Sequence, residues 1–263
     1  MMSIFQYSFI QNAFLAGTVV AVVGGFVGYF LVTRGLTFAG HALSHIGFAG
    51  AAAALLIGLD PIFGMLAFTI VAGIGIGVFG KDLREEDINI GVVMTLMLGL
   101  GALFISLYNG YAEQAYSILF GTILGISHTD VLVTLIFGVG AIVVLAAIFR
   151  PLLFSSIDPE VAEARGVPVR TLGIVFLVLV AVAVSMSVQV VGVLLIFTLL
   201  VGPAATATRL VHNPLGAVTT SVALALGFTW LGIFLAATGS FPVTFYIATI
   251  SFVVYLPVRL LTT

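Results

Sequence analysis

The sequence predicts an all-α, polytopic membrane bundle of eight or nine transmembrane helices, with one short extra helix on the cytoplasmic side. Three observations predict it. Hydrophobic residues make up 62% of the 263-residue chain and charged residues only 7%, against roughly 25% charged in a soluble domain. The apolar residues fall into successive runs near the ~20 residues that cross a bilayer as a helix. Threading those runs back and forth puts every basic residue on one face. With nearly all residues inside the runs, residues 1–263 read as a single domain.

The elements follow in order. Residues 8–32 form the first run, with no positive residue ahead of it and Arg34 behind it. A cleavable signal carries its charge in front, so this run is expected to be a retained span. The next spans are 37–58, 62–80 after Asp60-Pro61, and 88–108 after the mixed-charge turn Lys81–Asp87. Segment 115–128 is apolar but too short to cross, and reads as re-entrant or interfacial on the outer side. Span 130–149 ends at Arg150-Pro151, and spans 171–188 and 190–208 are divided only by Ser185, Ser187 and Gln189. Joining those two would give eight crossings instead of nine. The last spans are 215–237, after His212-Asn213-Pro214, and 242–259, after the break from Gly239 to Pro242.

Sidedness comes from charge. With nine crossings and the N-terminus outside, one face receives Arg34, Lys81, Arg84, Arg150, Arg165, Arg170, Arg209 and Arg259, all eight basic residues of the chain. The positive-inside rule makes that face cytoplasmic, with the C-terminus on it. The thirty glycines, some at small-xxx-small spacing as in Gly121 to Gly125, suit close helix packing in lipid. No internal repeat supports an inverted-repeat carrier. Cysteine is absent, which leaves imidazoles and carboxylates as metal ligands.

Two stretches carry chemistry. In Gly40-His41-Ala42-Leu43-Ser44-His45, two imidazoles four residues apart share one helical face. Polar groups within a span are costly and tend to be functional. His-x-x-x-His also occurs on metalloprotease helices, but Ala42 stands where their catalytic Glu would be. The second stretch runs from Ser155 to Pro168. Asp158 can cap a helix with Pro159 at its first position, Glu160 in its opening turn and Gly166 as its stop. It reads as an amphipathic helix at about 156–168, either a structured connector or a docking surface for a cytoplasmic partner.

These stretches resemble a known family. Gly40 to His45 is similar to the early signature of the ABC-3 permeases, the membrane subunits of zinc, manganese and iron ABC importers. Asp158-Pro159-Glu160 through Ala164-Arg165-Gly166-Val167 resembles that family's ATPase-coupling region. Val191-Gly192-Val193-Leu194-Leu195 through Val201-Gly202-Pro203-Ala204-Ala205-Thr206-Ala207 resembles its third recurring stretch. The resemblance covers 35–208. Two positions depart from the pattern. His41 stands where an acidic residue most often precedes Ala-Leu-Ser-His, and the last outer loop reads Ser240-Phe241-Pro242-Val243-Thr244.

The resemblance implies a multi-pass permease of a bacterial cytoplasmic (inner) membrane. It would act as a homodimer with cytoplasmic ABC ATPase subunits and an extracytoplasmic metal-binding receptor. Neither catalysis, a permanently bound cofactor nor a nucleic-acid partner is expected of it; the transported divalent ion is its only metal. No Gly-x-x-x-x-Gly-Lys-Ser/Thr loop is present to cradle a nucleotide, which agrees with that division of labour. His41 and His45 are the expected translocation-path ligands. Asp158, Pro159, Glu160, Ala164, Arg165 and Gly166 are the expected ATPase-coupling residues. His128 and Asp130 could meet the ion at the outer entrance, or Asp130 could simply cap its helix. Imidazoles suit zinc, and carboxylates suit manganese, so zinc is expected first, then manganese or iron. The alternative is a self-contained secondary carrier or channel, which would more often hold acids inside its spans; here the acids cluster at span ends.

Overall fold

The computed structural model describes residues 7–79, 83–108, 119, 121, 123 and 125–262. Among these, every long element is an α-helix. Helix α1 spans Ser8–Thr33, α2 Thr37–Leu56, α3 Pro61–Phe79, α4 Leu83–Leu107 and α5 His128–Ile157. A single short helix, α6, spans Pro159–Ala164; then come α7 Val169–Val191, α8 Val193–Leu210, α9 Pro214–Thr238 and α10 Val243–Leu261. Among the described residues nine helices, all but α6, are long and apolar enough to cross a membrane. The division near 186–191 is a real one and falls at Gly192, whose φ is +82°.

Burial separates an inner set from an outer one. Helices α1, α2 and α7 are mostly buried, whereas α4 and α10 turn residues such as Val92, Leu96, Phe245 and Phe252 outward. Such surfaces are what hydrocarbon solvates. The core packs Phe30, Leu31, Phe176, Leu199 and Leu200 from α1, α7 and α8. Helices α2 and α3 cross at Gly50 and Gly64, where a Cβ on either residue would collide with the other's carbonyl. Close approach through small residues strengthens packing where no hydrophobic drive exists between helices.

Side-chain bonds tie the two ends of the bundle. At one end Arg34 reaches Ser155 and Ser156, and Arg170 donates to the Val78 carbonyl at 2.9 Å. At the other, Asn12 donates to the Ile126 carbonyl at 2.9 Å, and Gly121 lies against the backbone of Val190 to Gly192. Helix α1 stops in a Schellman cap. Leu36 N–H bonds the Leu31 carbonyl at 2.9 Å, Gly35 N–H bonds the Val32 carbonyl at 3.2 Å, and Gly35 takes φ +70°. This 6→1 and 5→2 pair satisfies carbonyls that the helix end leaves free, and Gly reaches the left-handed conformation without Cβ strain.

Three expectations need correction. Arg150-Pro151 does not end a helix: α5 continues through Pro151 to Ile157. Proline removes one backbone bond; in the last turn beyond it the Ser155 and Ser156 hydroxyls donate to the Leu152 carbonyl at 2.9 and 2.6 Å. The short helix is confined to 159–164 rather than 156–168, because Asp158 is extended at φ −145° and Gly166 sits at φ +83°. The turn at Lys81–Asp87 is also shorter, since α4 begins at Leu83. Most of segment 115–128 lies outside the described residues.

Candidate functional site

Helix α2 builds the candidate site. Its run of Ala, Gly and Leu packs its other faces: Ala39, Ala42, Leu43, Ser44, Ile46 and Ala49 are buried. His41 and His45 are only partly buried. Their ring centres lie 4.6 Å apart at an interplanar angle of 87°. Phe197 of α8 packs against His41, with ring centres 4.8 Å apart. The buried Nδ1 of His41 has no hydrogen-bond partner among the described residues. The nearby Ser44 hydroxyl is already spent on the Gly40 carbonyl at 3.1 Å.

Unpaired buried nitrogens are uncommon and call for an explanation. An imidazole nitrogen with a free lone pair can take a cation. Imidazole nitrogens bind zinc at about 2.0–2.1 Å, and rings 4.6 Å apart are within reach of one ion. Among the described residues no cluster of three or more His, Cys, Asp or Glu could hold a metal. One chain therefore offers two ligands at this place.

His128 and Asp130 stand elsewhere, at the N-terminus of α5, and the structure does not bring them to the His41–His45 pair. His128 is exposed. The Asp130 carboxylate accepts from the Ser127 backbone N–H at 3.1 Å and from its hydroxyl at 2.7 Å, while Ser127 Oγ accepts from Asp130 N–H at 3.2 Å. These bonds form a reciprocal capping box. His212 is exposed in the connection between α8 and α9. The side chain of Gln189 lies outside the described residues.

Helix α6 stands on one buried residue, Ala162, and exposes Asp158, Pro159, Glu160, Ala164, Arg165 and Gly166. Asp158 accepts from Val161 N–H at 3.0 Å at its start. Its end is a second Schellman cap, with Val167 N–H on the Ala162 carbonyl at 3.0 Å and Gly166 N–H on the Glu163 carbonyl at 2.9 Å. Both ends are fixed, so six residues hold a helix that is far too short to persist alone. The result is an exposed knob capped at both ends.

Known proteins decide the family. The family model described as the ABC 3 transport family matches residues 6–262. The chain belongs to the ABC 3 transport family. The match runs well past residue 208, so the departure at Ser240 to Thr244 does not end it. The chain is 32% identical over 209 residues to the manganese transport system membrane protein MntC of Halalkalibacterium halodurans, covering 79% of this chain and 72% of that one. It is 31% identical over 231 residues to the manganese import system permease protein ScaB of Streptococcus gordonii, covering 88% and 83%. The solved structure of PsaBC from Streptococcus pneumoniae in complex with Fab matches with a TM-score of 0.88 and 28% identity, over 98% of this chain and 95% of that one. This ABC 3 family member is a multi-pass integral membrane protein, the non-catalytic permease subunit of an ABC transporter. A self-contained carrier is thereby set aside.

Two features of this permease had no individual signal in the sequence. Phe197 is one of several large apolar residues in α8, and nothing in its spacing singles it out. Thr69 and Ser185, bonded to each other at 2.9 Å between α3 and α7, look like ordinary small polar residues in their spans.

Proposed function

We propose that this permease imports a divalent transition-metal cation along a path whose narrow point is His41 and His45. The observation that carries this reading is the pair itself: two imidazoles 4.6 Å apart on a partly buried face, with a buried His41 nitrogen that has no hydrogen-bond partner among the described residues. The ligand chemistry favours zinc. Imidazole suits zinc, whereas manganese sites lean on carboxylates, and His41 occupies the position where family members most often carry an acid. The manganese names of the relatives favour a second reading, in which the same path carries manganese.

The chain would work as a homodimer, one permease domain per copy, bringing up to four imidazole nitrogens to one axial site. Its N-terminus would lie outside and its C-terminus inside, with all eight basic residues on the cytoplasmic face of a bacterial membrane. An extracytoplasmic receptor would deliver the ion at the outer end of the bundle, past His128 and Asp130 but without requiring either as a ligand. Cytoplasmic ABC ATPases would engage α6 through Asp158, Pro159, Glu160, Ala164, Arg165 and Gly166. The test is transport by the reconstituted transporter in proteoliposomes, with zinc and manganese offered alone and in competition. ATP-dependent zinc uptake that manganese inhibits weakly supports the zinc reading. Preferred manganese uptake transfers the path to the second reading, and uptake without ATP rejects the proposal.

A further inference from the structure

Arg34 does more than mark the cytoplasmic side. An arginine that only anchored its helix would extend to water, yet Arg34 is partly buried and turns into the bundle. Its Nη1 donates to Ser155 Oγ at 3.0 Å and to Ser156 Oγ at 3.1 Å, across more than 120 residues of sequence. Both hydroxyls in turn donate to the Leu152 carbonyl. Its Cζ lies 6.0 Å from the Phe176 ring centre on α7, within cation–π range. Its Nε has no hydrogen-bond partner among the described residues. The guanidinium thus spends both Nη1 hydrogens on one feature, the last turn of α5.

Position gives that feature a meaning. Asp158 ends α5 and caps α6 in one residue, so Ser155 and Ser156 lie immediately before the exposed knob. Arg34 is the C-cap of α1, and α2 begins three residues later, at Thr37. His41 and His45 follow within the first two turns and a little more, roughly 6–12 Å along the axis at 1.5 Å per residue. A shift of α6 therefore has a short, hydrogen-bonded route to the helix that carries the imidazoles.

We propose that Arg34 is a positioning residue that links α6 to the α1–α2 corner, so that ATPase-driven movement of α6 resets the His41–His45 pair. This rests on the reading of that pair as the ion path and of α6 as the ATPase-facing knob. Ser155 and Ser156 are the receiving half of the link, and losing their hydroxyls breaks it without removing any charge.

The experiment uses the complete transporter in proteoliposomes with zinc as the probe, and reads the number of ATP hydrolysed per zinc taken up. Ser155→Ala/Ser156→Ala is expected to raise that ratio by roughly fivefold or more, the lower bound of ordinary coupling effects. Assembly and basal ATPase should persist. Arg34→Lys should raise it too, because an ammonium keeps the charge and loses the fork. An unchanged ratio in the serine double variant, or equal falls in uptake and hydrolysis, overturns the role of Arg34. His41→Ala/His45→Ala separates the two levels. If that variant takes up zinc normally, the path reading beneath falls; if it is inactive and the serine ratio is unchanged, only the link falls.

Discussion

Two places in this permease hold histidine with a potential metal-binding neighbour, and they are built differently. On α2, His41 and His45 face each other and Phe197, and a His41 nitrogen has nothing to bond among the described residues. At the start of α5, His128 is exposed, and one oxygen of the Asp130 carboxylate, Oδ2, accepts both the backbone N–H and the hydroxyl of Ser127 in the helix cap. Histidine occurs in both places, but among the described residues only the α2 pair holds a buried ring nitrogen with no hydrogen-bond partner. Metal-ligand capacity depends on what a side chain has left after the fold has used it. Asp130 is occupied stabilising the helix N-terminus, where a carboxylate also meets the favourable end of the helix dipole.

Substitutions can break or sharpen this contrast. The largest effect is expected from His41→Ala/His45→Ala, which should abolish ATP-dependent metal uptake while the permease still assembles with its ATPase, as read by co-purification. A single His45→Ala should weaken transport by about 10-fold or more, since losing even an outer-shell partner of a metal ligand costs about 10–100-fold. His41→Asp should keep transport and move preference toward manganese, read as a changed zinc-to-manganese uptake ratio; an unchanged ratio would detach ion choice from this residue. Asp130→Ala is expected to cost about 1 kcal/mol in stability, as a lost cap does, and to lower the thermal midpoint with little change in uptake. Smallest of all should be His128→Ala, with uptake near that of the parent. A large loss there would make the outer pair a working entrance.

Most of the helices were legible in the sequence because length, composition and charge all specify them. A run near twenty apolar residues has few alternatives, and turn residues such as Asp60-Pro61 and Asn213-Pro214 mark where helices restart. Asp158 and Gly166 likewise announced the caps that fix α6. Pro151 misled for a physical reason. Proline removes only its own bond, to the carbonyl one turn earlier, and the backbone bonds on either side carry the helix on to Ile157. The His pair was legible because polar residues are rare in such a run. Phe197 was not, since its meaning comes from α8 crossing α2. Arg34 was legible as a charge, while its partners lie more than 120 residues away.

The most direct measurement compares two double variants in one assay: uptake of zinc and manganese into proteoliposomes holding the reconstituted transporter, with ATPase activity followed in parallel. His41→Ala/His45→Ala should lose uptake of both metals with the complex intact, and His128→Ala/Asp130→Ala should retain it. Normal uptake by the first variant, or loss confined to the second, would contradict the placement of the ion path on α2.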